Sequence, residues 1–189
     1  MNIFYIHENP ITCAKWMGNK HVVKMILETA QMLCTAHRIL DGKQVTKLVT
    51  SKSGKSKLKK VWVHPEYDDV LYMSTHANHP SNIWIRSSFL QYMWAYHHFV
   101  ALCKEYTYRY GKIHSTEIKL IDILSQPPNN IIKVNSTSYF EQPPSCMDEQ
   151  YIFSDNSITN YRIYYARAKK NMHKWTKREI PEFIERMMI

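Results

Sequence analysis

The stretch from Lys20 to Gly42, KHVVKMILETAQMLCTAHRILDG, leaves its residues little choice of local structure. Val23, Ile26, Ala30, Leu33, His37 and Leu40 recur at steps of three and four, the spacing that lines one face of an α-helix. His21, Lys24, Glu28, Gln31, Thr35 and Arg38 recur at the same steps along another face. One amphipathic helix is therefore predicted, with an apolar stripe turned to a core. Its polar ridge is either solvated or lines a site. Asp41-Gly42 supplies a plausible C-terminal stop.

A second long pattern follows. Ile85, Phe89, Tyr92, Tyr96, Phe99, Cys103, Tyr106 and Tyr110 again step by four and three. Pro80 blocks helix upstream, Ser81 is a good N-cap and Gly111 a good terminator. This predicts one helix of about 28 residues, roughly 42 Å long, packed as a central pillar against the first. Shorter helices are expected around Ala14 to Met17, from the Ser115 cap to Leu124, after Asp155 or Ser157, and from Pro181. Residues 2–6 read as a short strand or an extended entry, and 61–76 as one or two short strands. Residues 125–150, with Pro127-Pro128 and Pro143-Pro144, are irregular and should wrap the surface or shape a site. Only 4 glycines interrupt the chain, which favours helices over tight-turned sheets. With no internal repeat and no linker, residues 1–189 are expected to form one compact, mainly α helical bundle with minor short β-strands.

The formal net charge is +9, and such a surplus favours an anionic partner. Nucleic acid is the commonest, with an acidic membrane surface as the rival. Residues 43–60 carry seven lysines and no acid, and read as a Lys-rich loop or β-ribbon able to grip phosphates, or else as a solvated arm. No transmembrane helix or signal peptide is expected. Cys13, Cys34, Cys103 and Cys146 form no C-x-x-C pair and are expected to be thiols in a reducing cytoplasm.

Several chemistries find no motif. Gly54-Lys55-Ser56 suggests a phosphate loop, but position 49, where that loop needs glycine, is Val49. His76 and His79 are close, yet no H-E-x-x-H, C-x-x-C or carboxylate triad accompanies them, so no metal and no cofactor are expected. No G-x-S-x-G elbow or dinucleotide fingerprint occurs. The polar ridge is left as the candidate site, with Glu28 at its middle and Lys24 as the ordinary partner one turn earlier. Arg86, Arg109, Lys112, His114 and Arg162 could extend a phosphate track, with interleaved aromatic rings to stack bases.

The motif order resembles that of the small helical pyrimidine-dimer DNA glycosylases of the phage endonuclease V type. His21 is followed seven residues later by Glu28, at the spacing of that family's helical His and catalytic Glu. The turn Arg109-Tyr110-Gly111-Lys112 and a loose T-x-x-x-D-I-x-x-x-P pattern through Thr116, Asp122, Ile123 and Pro127 follow in the same order. Pro181-Glu182-Phe183 is similar to the family's finish. The resemblance implies a glycosylase/AP lyase acting on double-stranded DNA, monomeric and without cofactor. The N-terminal α-amine would attack C1′, and Glu28 would assist base loss and elimination. An α-amine ordinarily titrates near about 7.7–8.0, low enough to leave a reactive neutral fraction at pH 7. His21, Lys24, Arg86, Arg109, Lys112, His114 and Arg162 would face the DNA.

The chain departs from the family at its start. Residue 2 is Asn2, before which an initiator Met is usually retained, and the basic residue expected next is Ile3. The nucleophile is then the amine of Met1, or of Asn2 if Met1 is removed. Two alternatives share the scaffold: a phage DNA base-modification transferase, and a non-catalytic nucleic-acid or host-protein binder.

Overall fold

Seven α-helices and one two-stranded antiparallel sheet occur among the described residues of the computed structural model, which are 1–50, 54, 56–131 and 139–188. About 51% of the described residues are helical, as the mainly α expectation requires. Parts of the Lys-rich segment (51–53, 55) and of the irregular segment (132–138) lie outside the described residues.

Helix α1 (Pro10–Trp16) is capped by Asn9, whose side chain accepts the amides of Ile11 and Thr12, with Pro10 in the first turn. Helix α2 (Asn19–Leu40) is the predicted organising helix. Ile26, Ala30, Leu33 and His37 of its stripe are buried, but Val23 is 38% exposed. In the C-terminal half burial spreads beyond the stripe, and every residue from Met32 to Arg38 is buried.

Arg38, predicted on the polar ridge, is therefore an interior residue, 1% exposed. Its Nε donates to Tyr72 O at 2.8 Å and its Nη1 to Trp62 O at 2.8 Å. Nη1 also pairs with Asp68 Oδ1, while Nη2 donates to Asp68 O at 2.7 Å and Leu71 O at 2.8 Å. All five guanidinium N–H groups are used, which is the condition for burying that charge.

Two strands leave α2. β1 (Lys43–Thr50) pairs antiparallel with β2 (Ser56–Val63), Lys43 opposite Val63 and Leu48 opposite Leu58. Within the Lys-rich segment, residues 43–50 and 56–60 are thus paired strands of a β-ribbon. Gly42 makes the corner: a Cβ there would lie 2.2 Å from Arg38 O and 2.7 Å from Val63 O, so only glycine fits. Strand alternation puts Lys47, Lys57 and Lys59 on one face, and Lys60 with Leu48 and Leu58 on the other. Leu48 and Leu58 are 66% and 70% exposed, so the ribbon stands in solvent and not on the core.

The predicted long helix is two helices, α3 (Pro80–Ile85) and α4 (Phe89–Tyr110). Ser81 is not the cap; His79 caps α3 and Ser88 caps α4. The break follows from two serines. Ser87 Oγ donates to the Trp84 carbonyl at 2.8 Å, and Ser88 Oγ accepts the Gln91 amide, so side chains satisfy the groups a continuous helix would have paired. α4 ends at Gly111, with φ at 66°, as expected. It packs mainly on α2 and α1, with α3 and α5 (Ser115–Leu124) also against it. His114, not Ser115, caps α5. Helices α6 (Ser157–Ala168, capped by Asn156) and α7 (Phe183–Arg186) complete the fold, with single 3-10 turns at Glu149–Tyr151 and Lys170–Met172.

One apolar cluster draws on all seven helices and on the extended residues Ile3 to Ile6. That entry is not a strand. Phe4 sits in the left-handed region (φ 52°), with its amide on Asn2 Oδ1 at 3.1 Å and its ring packed against His21, Tyr161, Tyr164 and Tyr165. The cysteines among the described residues are free thiols, and Cys13, Cys34 and Cys103 are buried.

Candidate active site

Burial of Asn2 to Ile6 ties down the N-terminus, which in most domains frays. Asn2 spends its side chain on this anchoring. Its Nδ2 donates to Cys146 O at 2.8 Å and its Oδ1 accepts from Phe4, so its side chain holds the terminus in place. Met1 is half-buried, with its sulfur 3.5 Å from Asn82 Nδ2. The same Asn82 amide donates to Thr75 O at 3.1 Å and His76 O at 2.9 Å, holding the chain just before α3, where His76 is left-handed at φ 47°.

The ring of His79 joins these parts. Burial lowers its pKa from the ordinary 6.5, the Met1 α-ammonium and His76 lower it further, and the Glu28 carboxylate opposes them. The charges of the N-terminus and of Glu28 on α2 thus both act on this ring, while Asn82 ties the Met1 side chain to α3. His79 Nδ1 accepts the Ser81 amide at 3.2 Å, so the neutral ring carries its proton on Nε2. Glu28 is half-buried, its side chain 19% exposed, with Lys24 Nζ at 3.3 Å. An amine, a carboxylate and a neutral imidazole within electrostatic range of one another are the kinds of group that supply a nucleophile and its acid–base partners.

The residues predicted to face DNA separate into three groups. His21 and Arg109 are interior residues and present nothing to a duplex, being 1% and 3% exposed. His21 Nδ1 meets the Tyr165 hydroxyl at 2.8 Å, and burial, followed by Lys169 and Lys24, pushes its pKa down to about 4. Arg109 donates to Glu105 at 2.7 Å, Asn19 Oδ1 at 3.0 Å and Lys15 O at 3.0 Å, tying α4 to α1 and α2. A buried cation or imidazole needs such partners, and the helical period that placed these two on a polar face could not show what covers it.

Arg86, His114 and Arg162 are half-buried and already engaged. Arg86 donates to Ala77 O at 2.6 Å, His114 Nδ1 accepts the Thr116 amide at 3.2 Å, and Arg162 donates to Ile6 O at 2.9 Å over the Trp16 and Phe183 rings. Lys24 and Lys112 alone of the predicted set stand exposed.

Sequence reasoning missed His79 and Asn82 as companions of Glu28. The pair His76 and His79 was visible only as a weak metal motif, and Asn82 gave no signal. A second grouping was missed too. His37, Asp41 and His64 bring a ring nitrogen each and a carboxylate oxygen within 4.8 Å of one another. The His37–Asp41 step of four at a helix end was legible, but His64 lies beyond the β-ribbon.

Comparison with protein-family models, curated proteins and solved structures finds no match to this chain. No helix among the described residues is long and apolar enough to cross a membrane.

Proposed function

We propose that the chain is a DNA glycosylase/AP lyase working through its N-terminal amine and Glu28. The reading is supported by the half-buried Glu28 on α2 and by the tie of Met1 to α3 through Asn82, with the N-terminal and Glu28 charges both acting on His79. In the reaction the neutral amine attacks C1′ of the damaged nucleotide and the glycosidic bond breaks, releasing the base with a proton. Glu28 stabilises the positive charge that develops on the sugar. The C1′–O4′ bond then opens as the nitrogen lone pair forms the C1′=N bond and O4′ takes a proton from solvent, and from this protonated imine Glu28 takes the C2′ proton as the C3′–O bond breaks and the phosphate leaves. Water hydrolyses the imine and restores the amine. The base must leave the stack for this attack, and cationic contacts offset the cost of unstacking.

Double-stranded DNA is the proposed partner. The β-ribbon supports it, because an exposed two-stranded ribbon bearing Lys47, Lys57, Lys59 and Lys60 has the width of a major groove. We read the chain as one compact domain, since a single apolar cluster spans every helix, and as a cytoplasmic monomer.

Borohydride trapping on abasic and UV-irradiated duplex tests the chemistry. A covalent adduct is expected with the parent protein and a strongly reduced one with Glu28→Gln. Absence of adduct and of strand cleavage on both substrates overturns the lyase reading. A non-catalytic binder is the second reading, favoured by the Lys24–Glu28 pair, which is an ordinary surface contact at 3.3 Å. It predicts DNA binding that survives Glu28→Gln with no adduct at all.

A further inference from the structure

The strongest feature outside the amine site is a cleft of about 650 Å³ between the end of α2, the foot of the β-ribbon and the chain at Gln126 to Asn129. Its lining is unusual for so basic a protein. Asp41, Glu66 and Asp122 contribute carboxylates, and among the described residues no lysine or arginine lines it. Such a cleft draws cations and repels a phosphate backbone.

His37, Asp41 and His64 come together there. Each is fixed by an interaction that leaves one donor atom over. His37 Nε2 lies 2.8 Å from the Tyr92 hydroxyl, which itself donates to Leu124 O at 3.0 Å. The hydroxyl therefore accepts from Nε2–H; the Gln126 carbonyl also lies by this ring, and in the neutral tautomer Nδ1 keeps its lone pair. This is the arrangement by which proteins orient a metal-binding imidazole. Asp41 accepts the Asn129 amide at 2.7 Å on Oδ2, and the Asn130 amide at 2.9 Å and side chain at 3.0 Å on Oδ1. One lone pair of Oδ2 is left over. Asp41 is also the C-cap of α2, where a carboxylate opposes the helix dipole and a bound cation would relieve it.

His64 supplies the independent observation. It is 4% exposed, and its buried Nε2 has no hydrogen-bond partner among the described residues. A buried polar atom without a partner is costly and calls for a ligand.

We infer that His37 Nδ1, Asp41 Oδ2 and His64 Nε2 form a binding site for one divalent first-row cation of the zinc class. Two imidazoles and one carboxylate suit such an ion, and three protein ligands leave a further position open to the cleft. In a tetrahedral site with bonds of about 2 Å the ligand atoms lie about 3.3 Å apart, so side-chain rotations close the present spacing. His64 Nδ1 accepts the Glu66 and Tyr67 amides at 3.2 and 3.1 Å. Binding at Nε2 moves the ring proton to Nδ1 and releases these two long bonds, so loading changes the His64 tautomer without changing its charge.

The test is titration of the chelator-stripped full-length protein with Zn²⁺, and with Co²⁺ for its visible bands, beside His64→Asn. The shorter amide side chain keeps an acceptor for the Glu66 and Tyr67 amides but lacks the distal nitrogen. One equivalent of Zn²⁺ is expected to bind the parent, and His64→Asn to weaken it at least about 100-fold, since losing a ligand costs no less than losing a ligand's partner. Ring ¹⁵N spectra of the parent give a readout that needs no variant: zinc should shift the His37 and His64 rings and place the His64 proton on Nδ1. Absence of saturable binding, equal affinity in the variant, or shifts confined to other histidines such as His76 and His79, overturns the site.

Discussion

Arg38, buried, and Asp68, 31% exposed and 30 residues further on, pair at the edge of the core and lock the foot of the β-ribbon to α2. Asp68 also accepts the His64 amide at 3.2 Å and lies 3.5 Å from Lys47 Nζ. Burial would raise the pKa of its carboxyl, but the Arg38 hydrogen bond and the His64 amide hold it below the ordinary range. The pair thus sets where the ribbon leaves the body and where His64 sits.

Arg38→Met should be strongly destabilising. It strands the carbonyls of Trp62, Asp68, Leu71 and Tyr72 and leaves the Asp68 carboxylate only the exposed Lys47 and the His64 amide. Breaking a buried pair from one side costs about 3–5 kcal/mol. Arg38→Lys should recover little of this, because an ammonium cannot reach the same spread of acceptors. Urea denaturation measures both.

Stability should fall as pH drops from 6.5 toward 4. His21 and His98 are buried and neutral, and burial lowers each to about 4 from the ordinary 6.5. The unfolded chain binds these protons first, so folding free energy is lost across that window as pH falls and levels off below it. The limiting loss is on the order of 3 kcal/mol per ring. Thermal melts between pH 7 and 4, compared for His98→Gln and the parent, check the direction.

The ribbon lysines should matter for binding and not for folding. Replacing Lys57, Lys59 and Lys60, all exposed, with alanine should leave the melting temperature nearly unchanged. The slope of log affinity against log salt should become shallower by up to about 0.9 for each phosphate that the ribbon no longer neutralises. Fluorescence anisotropy with a duplex across a salt series gives the number.

Extra residues ahead of Met1 should abolish strand cleavage if its amine is the nucleophile. The buried segment Asn2 to Ile6 keeps its place, so the α-amine moves away from Glu28 and His79. A loss of at least about 100-fold, as for removal of other catalytic groups, is expected with an N-terminal tag and not with a C-terminal one.

Local patterns made the helices legible. Asn9-Pro10, Gly111 and the periodic stripe of Ile26, Ala30 and Leu33 act within a few residues, so their effect is written in neighbouring letters. The break between α3 and α4 was misread because Ser87 and Ser88 compete for backbone groups in a stretch whose apolar spacing runs on unbroken. The same limit applies to the candidate site. Glu28 stood out on its ridge, but His79 and Asn82 join it through a chain reversal of which no spacing gives notice.

The sequence by itself determined the mainly helical character, the basic run at 43–60 and the position of Glu28 on its helix, because period and charge are local properties. Only the tertiary structure decided that His21, Arg38 and Arg109 are interior groups, that Asn82 of α3 holds the Met1 side chain, and that His64 meets His37 and Asp41. Whether a polar side chain faces water or a partner depends on which distant segment packs over it, and that is settled by the packing of the whole chain.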